Sequence, residues 1–389
     1  MQRTTIAVVL TALLTVTSVG GAMALGAPAG DIAPQSDQPQ AAQQQAAQQQ
    51  SSCDYQSLFD QSIGSVVSVQ TASGQGSGFV YQVANATGGA NATDTANATD
   101  GANATGETYI VTNAHVVSGA DTVEIQFEAG EYRTGEVVGR STYADLAVVS
   151  VDDAPDYVEG LEVAATDPDH GEKVAALGNP LGLEETITHG IVSGVNRSLP
   201  TDRGFSIPNV IQTDAPISPG NSGGPLVACD GTVVGVNTAG ISSQRAENIG
   251  FAVSASVIER VVPELLAEGE FEYPYLGVQT TPVTPAVAEA NDINRSGGIM
   301  VVSTVEGGPA SGVLQGATGA EVRNGQQIPI GGDVILSVNG TQIETGEDLG
   351  TYLVLNTEPG ETVNMTVLRD GEVQQIDVTI GERPEPQGT

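Results

Sequence analysis

From Tyr55 onward the chain is written in short apolar runs, among them SVVSVQT, GFVYQV, YIVTNAHVV, VEIQF, LAVVSV, VAALG, GIVSGV and PLVACDGTVVGV, punctuated by Gly, Asp and Asn. Many short strands at that spacing constrain the fold to a sandwich or barrel, and in this case a large one. The fold class is therefore mainly β. At roughly 100 to 200 residues per domain, 389 residues leave room for two or three domains.

One segment breaks the pattern. SASVIERVVPELLAEGE reads as a helix with Ser254 or Ser256 as cap and Pro263 positioned to kink or divide it. It closes a first domain over 55–269. A second β-rich domain follows over 272–383, with GEDLGTYLVLN as a helix and the RDGE stretch, Arg369 to Glu372, as a hairpin turn. The end, GERPEPQGT, reads as a frayed tail, placed at 384–389.

Residues 1–30 carry one arginine, an uncharged apolar stretch and then small residues, the pattern of an export signal. About 20 such residues would also span a bilayer, so an uncleaved membrane tether stands as the second reading. Residues 31–54, rich in Gln and poor in large apolar side chains, form a disordered linker. An insertion at 84–107 repeats Asn-Ala-Thr from Asn85, Asn91, Asn97 and Asn103. In an exported chain these four sequons mark a surface hairpin tip that is either glycosylated or a tolerated polar insertion. Cys53 and Cys229 would form one disulfide or remain two inert buried thiols; two cysteines alone make no zinc site, and no metal is expected.

Forty-seven acidic residues face 12 basic ones, a formal charge of −35. At low salt that charge strains a compact fold by self-repulsion; at molar salt, with a Debye length of about 3 Å, the repulsion is screened. The acidity reads as adaptation to salt, with binding of cationic partners as the alternative. No nucleic acid partner fits so acidic a surface.

GNSGGPL, residues 220–226, raises the chemistry. A nucleophilic serine needs a base, a group to orient that base, and donors for the oxyanion. Gly220 and Gly223 around Ser222 permit backbone N–H groups to face a reacting carbonyl. His115 ends an apolar strand in YIVTNAHVV, and Asp145 opens one in TYADLAVVSV, whereas His170 and His189 fall in a loop and on a strand. The order His115, Asp145, Ser222 is that of chymotrypsin-like double barrels. The strand-rich pattern does not alternate with helices, which argues against a lipase or esterase of the α/β-hydrolase kind.

TNAHVV, DLAVV, LGNPLGLEETITHGIVSG, IQTDAPISPGNSGGPLV, GVNTAG and NIGFAVS together resemble the HtrA/Deg family of trypsin-fold serine proteases, and the second domain resembles its PDZ domain. The resemblance implies a chymotrypsin-like double β-barrel with His115 as general base, Asp145 as its orienting partner and Ser222 as nucleophile. It further implies an oxyanion hole from the N–H groups of Gly220 and Ser222 with Asn221, and a pocket for small or medium apolar side chains that Ile217 helps to line. No organic cofactor is required. Leu276, Gly277 and Val278 of YLGV would form the peptide-carboxylate loop of the PDZ domain, which binds chain ends by strand addition. The polar stretch between Gly316 and Gly331 is longer than a short PDZ connection.

Tyr55 and Phe59 are candidates for the contacts of a family homotrimer, or pack on their own barrel. The implied activity is extracytoplasmic cleavage of unfolded or damaged proteins; the rival is a peptide-binding chaperone or scaffold that keeps the protease fold without cutting.

Overall fold

The computed structural model describes residues 53–72, 74–83, 107–179, 186–218, 220–238, 249–294, 297–323 and 325–385. The expected export segment, the linker up to residue 52 and the insertion with Asn85, Asn91, Asn97 and Asn103 lie outside the described residues. No helix among the described residues is long and apolar enough to cross a membrane.

The short apolar runs become strands of two closed antiparallel barrels. The first holds β1 (Val66–Gln70), β2 (Gln75–Val83), β3 (Thr108–Thr112), β4 (Thr122–Gln126), β5 (Tyr132–Ser141) and β6 (Leu146–Val151), hydrogen-bonded in the order β1-β2-β3-β6-β5-β4. The second holds β7 (Lys173–Gly178), β8 (Thr186–Pro200), β9 (Ser206–Thr213), β10 (Pro225–Ala228), β11 (Val233–Thr238) and β12 (Gly250–Ser254), in the order β10-β11-β12-β9-β8-β7. Closure leaves neither barrel an unpaired edge. Side chains such as Val69, Ile110, Ile125 and Val149 fill the first interior, and Val174, Ile211, Leu226 and Ala252 the second.

Before the barrels, helix α1 (Tyr55–Ser62) is started by Asp54, whose carboxylate accepts from Ser57 N at 3.2 Å. Cys53 and Asp54, expected to end the linker, thus belong to the folded body. Cys53 is joined to Cys229 with a Cα–Cα distance of 5.3 Å, and the cap and this bridge order a segment that apolar content alone would not. Tyr55 lies flat on His189 of β8, ring centroids 4.3 Å apart, and Tyr55 and Phe59 both pack half-buried against their own barrels. The bridge spans 176 positions, so Cys53→Ser should cost about 2–4 kcal/mol and lower the unfolding midpoint by several degrees. Thermal unfolding with and without reductant checks this; identical midpoints would refute it.

Helix α2 (Ala255–Glu268) runs through Pro263, so of the expected kink or division the division does not occur. An interior proline costs roughly 3 kcal/mol. Val257, Ile258, Val261, Val262 and Leu265 are buried on the same helix, and at about 1.5–3 kcal/mol each their burial outweighs it. Ser254 is the N-cap residue, but its hydroxyl makes no cap bond; Asp167 supplies one instead, accepting from Ser256 N at 3.0 Å.

The second domain is built on one sheet of β14 (Val278–Pro282), β15 (Ile299–Thr304), β18 (Val334–Val338), β20 (Thr362–Arg369) and β21 (Glu372–Thr379), with β19 (Thr341–Gln342) paired to β18. Helix α3 (Pro285–Ala290) and helix α4 (Gly346–Asn356) pack with it, the latter opened by a Thr345/Asp348 capping box. The turn between β20 and β21 places Asp370 and Gly371 at φ 52° and 82°, as the RDGE reading requires. The polar stretch from Gly316 to Gly331 is its own hairpin, β16 (Gly319–Arg323) with β17 (Gln326–Ile330).

Several contacts hold this domain to the barrels. Asn196 of β8 donates to Asp348 at 2.7 Å and accepts from Thr351, both on α4. The chain end returns as β22 (Gly381–Glu382), paired with β13 (Pro274–Tyr275), and Arg383 stacks 4.0 Å over Tyr143. Tyr143 also donates its hydroxyl to the Pro384 carbonyl. The expected tail at 384 therefore begins as an anchored strap, because a cation over aromatic faces is held without needing a second charge.

Candidate active site

The turn from β5 into β6 delivers Asp145, buried to 6% exposure and with φ 54°. His115 follows β3 in the adjacent turn. The Nδ1 atom of His115 stands 2.9 Å from each carboxylate oxygen of Asp145. Asp145 Oδ1 also accepts from His115 N at 3.1 Å, and Oδ2 accepts from Thr238 Oγ1 at 3.0 Å. Asn113 Nδ2 donates to the Asp145 carbonyl at 3.0 Å, so the acid is held on every side. Thr238 lies at the end of β11, which links the second barrel to a pair carried by the first.

These contacts set the imidazole's proton affinity. Burial pushes it down, while the hydrogen bond and the charge of Asp145 push it up, and Arg203 pushes it down; the result stands above the ordinary value of 6.5. The His115 side chain remains 42% exposed, open to the cleft beside it. That cleft has a volume of about 1070 Å³ and runs from His115 and Asp145 past Tyr143 and Phe205 to Tyr273 and Arg383. His170 sits in a turn and His189 on β8; neither has a carboxylate partner among the described residues.

Ser222 is 5% exposed, in the turn that enters β10. Its hydroxyl makes no hydrogen bond among the described residues, so His115 is bound to Asp145 but not yet to Ser222. Around it the backbone donors divide in two. The N–H groups of Asn221, Gly223 and Gly224 are committed to the carbonyls of Ser218, Asn237 and Asn221, at 3.0, 2.8 and 3.0 Å. Those of Gly220 and Ser222 donate to no backbone carbonyl among the described residues. The N–H of Asn221, expected as a third oxyanion donor, donates instead to the Ser218 carbonyl within its own turn.

Glycine is required at two of these positions. Gly220 has φ 104°, and Gly223 has φ 87° with space so tight that a Cβ would stand 2.1 Å from the Ser77 carbonyl oxygen. Ile217 is half-buried; a Cβ on Gly250 would stand 2.8 Å from its Cδ1, so the two face each other closely. Asp214 Oδ1 accepts from Ile191 N at 2.7 Å.

In the second domain, Leu276 is buried and Gly277 has φ 75°. The carbonyls of Leu276 and Gly277 accept from Ala310 and Val305, whereas their own N–H groups donate to no backbone carbonyl among the described residues. Val278 opens β14. No cluster of three or more metal-ligating side chains occurs among the described residues.

Residues 76–236 match the family model of a trypsin-like peptidase domain, and residues 274–380 that of a PDZ domain. The serine protease Do-like HtrA of Bacillus subtilis (strain 168) is 33% identical over 342 residues, covering 85% of this chain and 68% of that protein. A probable periplasmic serine endoprotease DegP-like of Halomonas elongata is 35% identical over 280 residues, covering 72% of this chain and 55% of that protein. The chain therefore spans between about half and two thirds of these curated relatives. Among solved structures, the HtrA-type protease AlgW with tripeptide superposes with a TM-score of 0.65 at 27% identity, covering 86% of this chain and 99% of that one. The serine endoprotease from Yersinia pestis gives 0.56 at 26%, covering 85% and 98%. With two closed barrels, a PDZ domain and these relatives, the chain belongs to the HtrA/Deg family of serine endopeptidases.

Proposed function

We propose that this protein cleaves unfolded or damaged proteins outside the cytoplasm by acyl transfer through Ser222, His115 and Asp145. The observation that carries the reading is the His115–Asp145 pair beside a serine turn in which two N–H groups, of Gly220 and Ser222, donate to no backbone carbonyl among the described residues. Ser222 Oγ attacks the peptide carbonyl as His115 Nε2 takes its proton, and the two N–H groups receive the oxyanion. The proton then passes to the leaving amine, the C–N bond breaks, and water hydrolyses the ester by the same steps in reverse order of proton transfer. Since Ser222 and His115 are not yet bonded, substrate entry closes that last contact.

Ile217 with Gly250 forms the pocket for a small apolar side chain before the cut. Leu276, Gly277 and Val278 hold the terminal carboxylate of a bound chain end, and β14 offers the strand to which it adds. An extracytoplasmic place is supported by the apolar N-terminal stretch, by the Cys53–Cys229 bridge and by relatives named as periplasmic. A membrane tether, glycans on the Asn-Ala-Thr repeats and a homotrimer seated on the outer sides of Tyr55 and Phe59 belong to the same reading. The charge of −35 fits work at high salt.

In molar salt the protein should cut a reduced, unfolded protein at least about tenfold faster than the same protein folded, because only an extended segment can enter the cleft. Product mapping should show small apolar residues before the cut. Binding of the unfolded chain without products would favour the chaperone instead.

A further inference from the structure

We propose that Ser77, in the Gly-Ser-Gly-Phe segment of β2, is a positioning residue for the oxyanion-binding turn; the proposal rests on Ser222 as nucleophile. Ser77 belongs to the first barrel and is fully buried, yet every polar atom it has is engaged. Its N–H donates to the Ser222 carbonyl at 2.8 Å, and its hydroxyl donates to the Gly220 carbonyl at 2.6 Å. Asn179 N donates to the same hydroxyl at 2.8 Å, and Thr112 Oγ1 donates to the Ser77 carbonyl at 2.6 Å. A serine hydroxyl has one hydrogen; since Asn179 N is itself a donor, that hydrogen goes to Gly220.

The two residues whose N–H groups face the developing oxyanion are therefore the two whose carbonyls Ser77 holds. The Gly220 carbonyl shares a rigid peptide plane with the Asn221 N–H, which donates to Ser218, so that plane is fixed at both ends. The Ser222 carbonyl fixes the plane with the Gly223 N–H, which donates to Asn237. Between them the plane carrying the Ser222 N–H has little room to turn. The neighbouring Gly76 permits this approach, since a Cβ there would stand 2.9 Å from the Ser222 carbonyl oxygen. Through Asn179 the same hydroxyl also reaches the segment that leaves β7, so three separate stretches of chain meet on one oxygen.

Without the hydroxyl, the Gly220 carbonyl loses its anchor and its peptide plane is held at one end only, by the Asn221 N–H bond to Ser218, while the bond from the Ser77 N–H to Ser222 remains. The loss falls on donors used in the transition state, so it appears in kcat rather than KM. The test is full-length Ser77→Ala beside wild type and Ser222→Ala, with a fluorogenic peptide and a peptide aldehyde whose adduct carries its oxygen in the hole. We expect kcat about 10–100-fold lower, KM within about twofold, and the aldehyde weakened by the same factor as kcat/KM. A folded Ser77→Ala with wild-type kcat, or with lower kcat but unchanged aldehyde affinity, overturns the proposal. Turnover by Ser222→Ala would instead overturn the reading beneath it. If Ser77→Ala does not fold, Ser77→Cys decides, with nearly the same volume and a weaker donor: reduced kcat and aldehyde affinity support the assignment, and wild-type values overturn it.

Discussion

Asp145→Asn is expected to lower kcat about 10⁴-fold while both barrels stay folded. Both Asp145 oxygens lie 2.9 Å from His115 Nδ1, and a carboxylate accepts only, so the ring proton sits on Nδ1 and Nε2 keeps the lone pair that the proposed mechanism needs. An amide in that place can offer N–H instead, which stabilises the tautomer with its proton on Nε2 and leaves the base unable to accept. The packing cost is small by comparison, since Thr238, Asn113 and the His115 N–H still surround a side chain of the same shape.

The pH profile gives the same variant a second readout. The base works as neutral imidazole, and Asp145 raises the pKa of His115 above 6.5, so wild-type kcat/KM should rise with pH through an inflection above that value. In Asp145→Asn the charge is gone, burial acts with less opposition, and the inflection should move down. The stability sign runs with it: a raised folded pKa favours the folded state below the unfolded value, and that contribution is lost as pH rises through the folded pKa. A kcat within tenfold of wild type, or an inflection that does not fall, would contradict the assignment.

Much of the architecture was legible because each piece announces itself locally. The strand runs around Ile110, Val148 and Val236 carry their own punctuation, and the order His115, Asp145, Ser222 places three functional types at strand ends. What escaped depends on residues far apart in sequence. Thr238 in GVNTAG looks like any strand threonine until β11 brings its hydroxyl to Asp145. The commitment of the Asn221 N–H to Ser218 follows from how the turn closes, not from the glycine count. Helix α1 has little apolar content of its own and relies on Asp54 and the bridge to Cys229. The passage of α2 through Pro263 and the anchoring of Arg383 on Tyr143 both arise from tertiary burial that outweighs a local signal.

The second large effect is that of Ser222→Ala. In the proposed mechanism, removing the hydroxyl deletes the atom that forms the acyl bond, and the donors of Gly220 and Ser222 are left to stabilise an oxyanion that no longer arises by that route. The expected loss is about 10⁶-fold in kcat, near the level at which residual binding and oxyanion contacts alone operate. Stability should change little, because the Ser222 hydroxyl makes no hydrogen bond among the described residues and its carbonyl keeps the Ser77 N–H. The measurement is digestion of an unfolded casein-like protein in molar salt by wild type and Ser222→Ala, with matched unfolding curves. Products are expected from wild type alone; undiminished turnover by the folded Ser222→Ala variant would show that Ser222 is not the nucleophile.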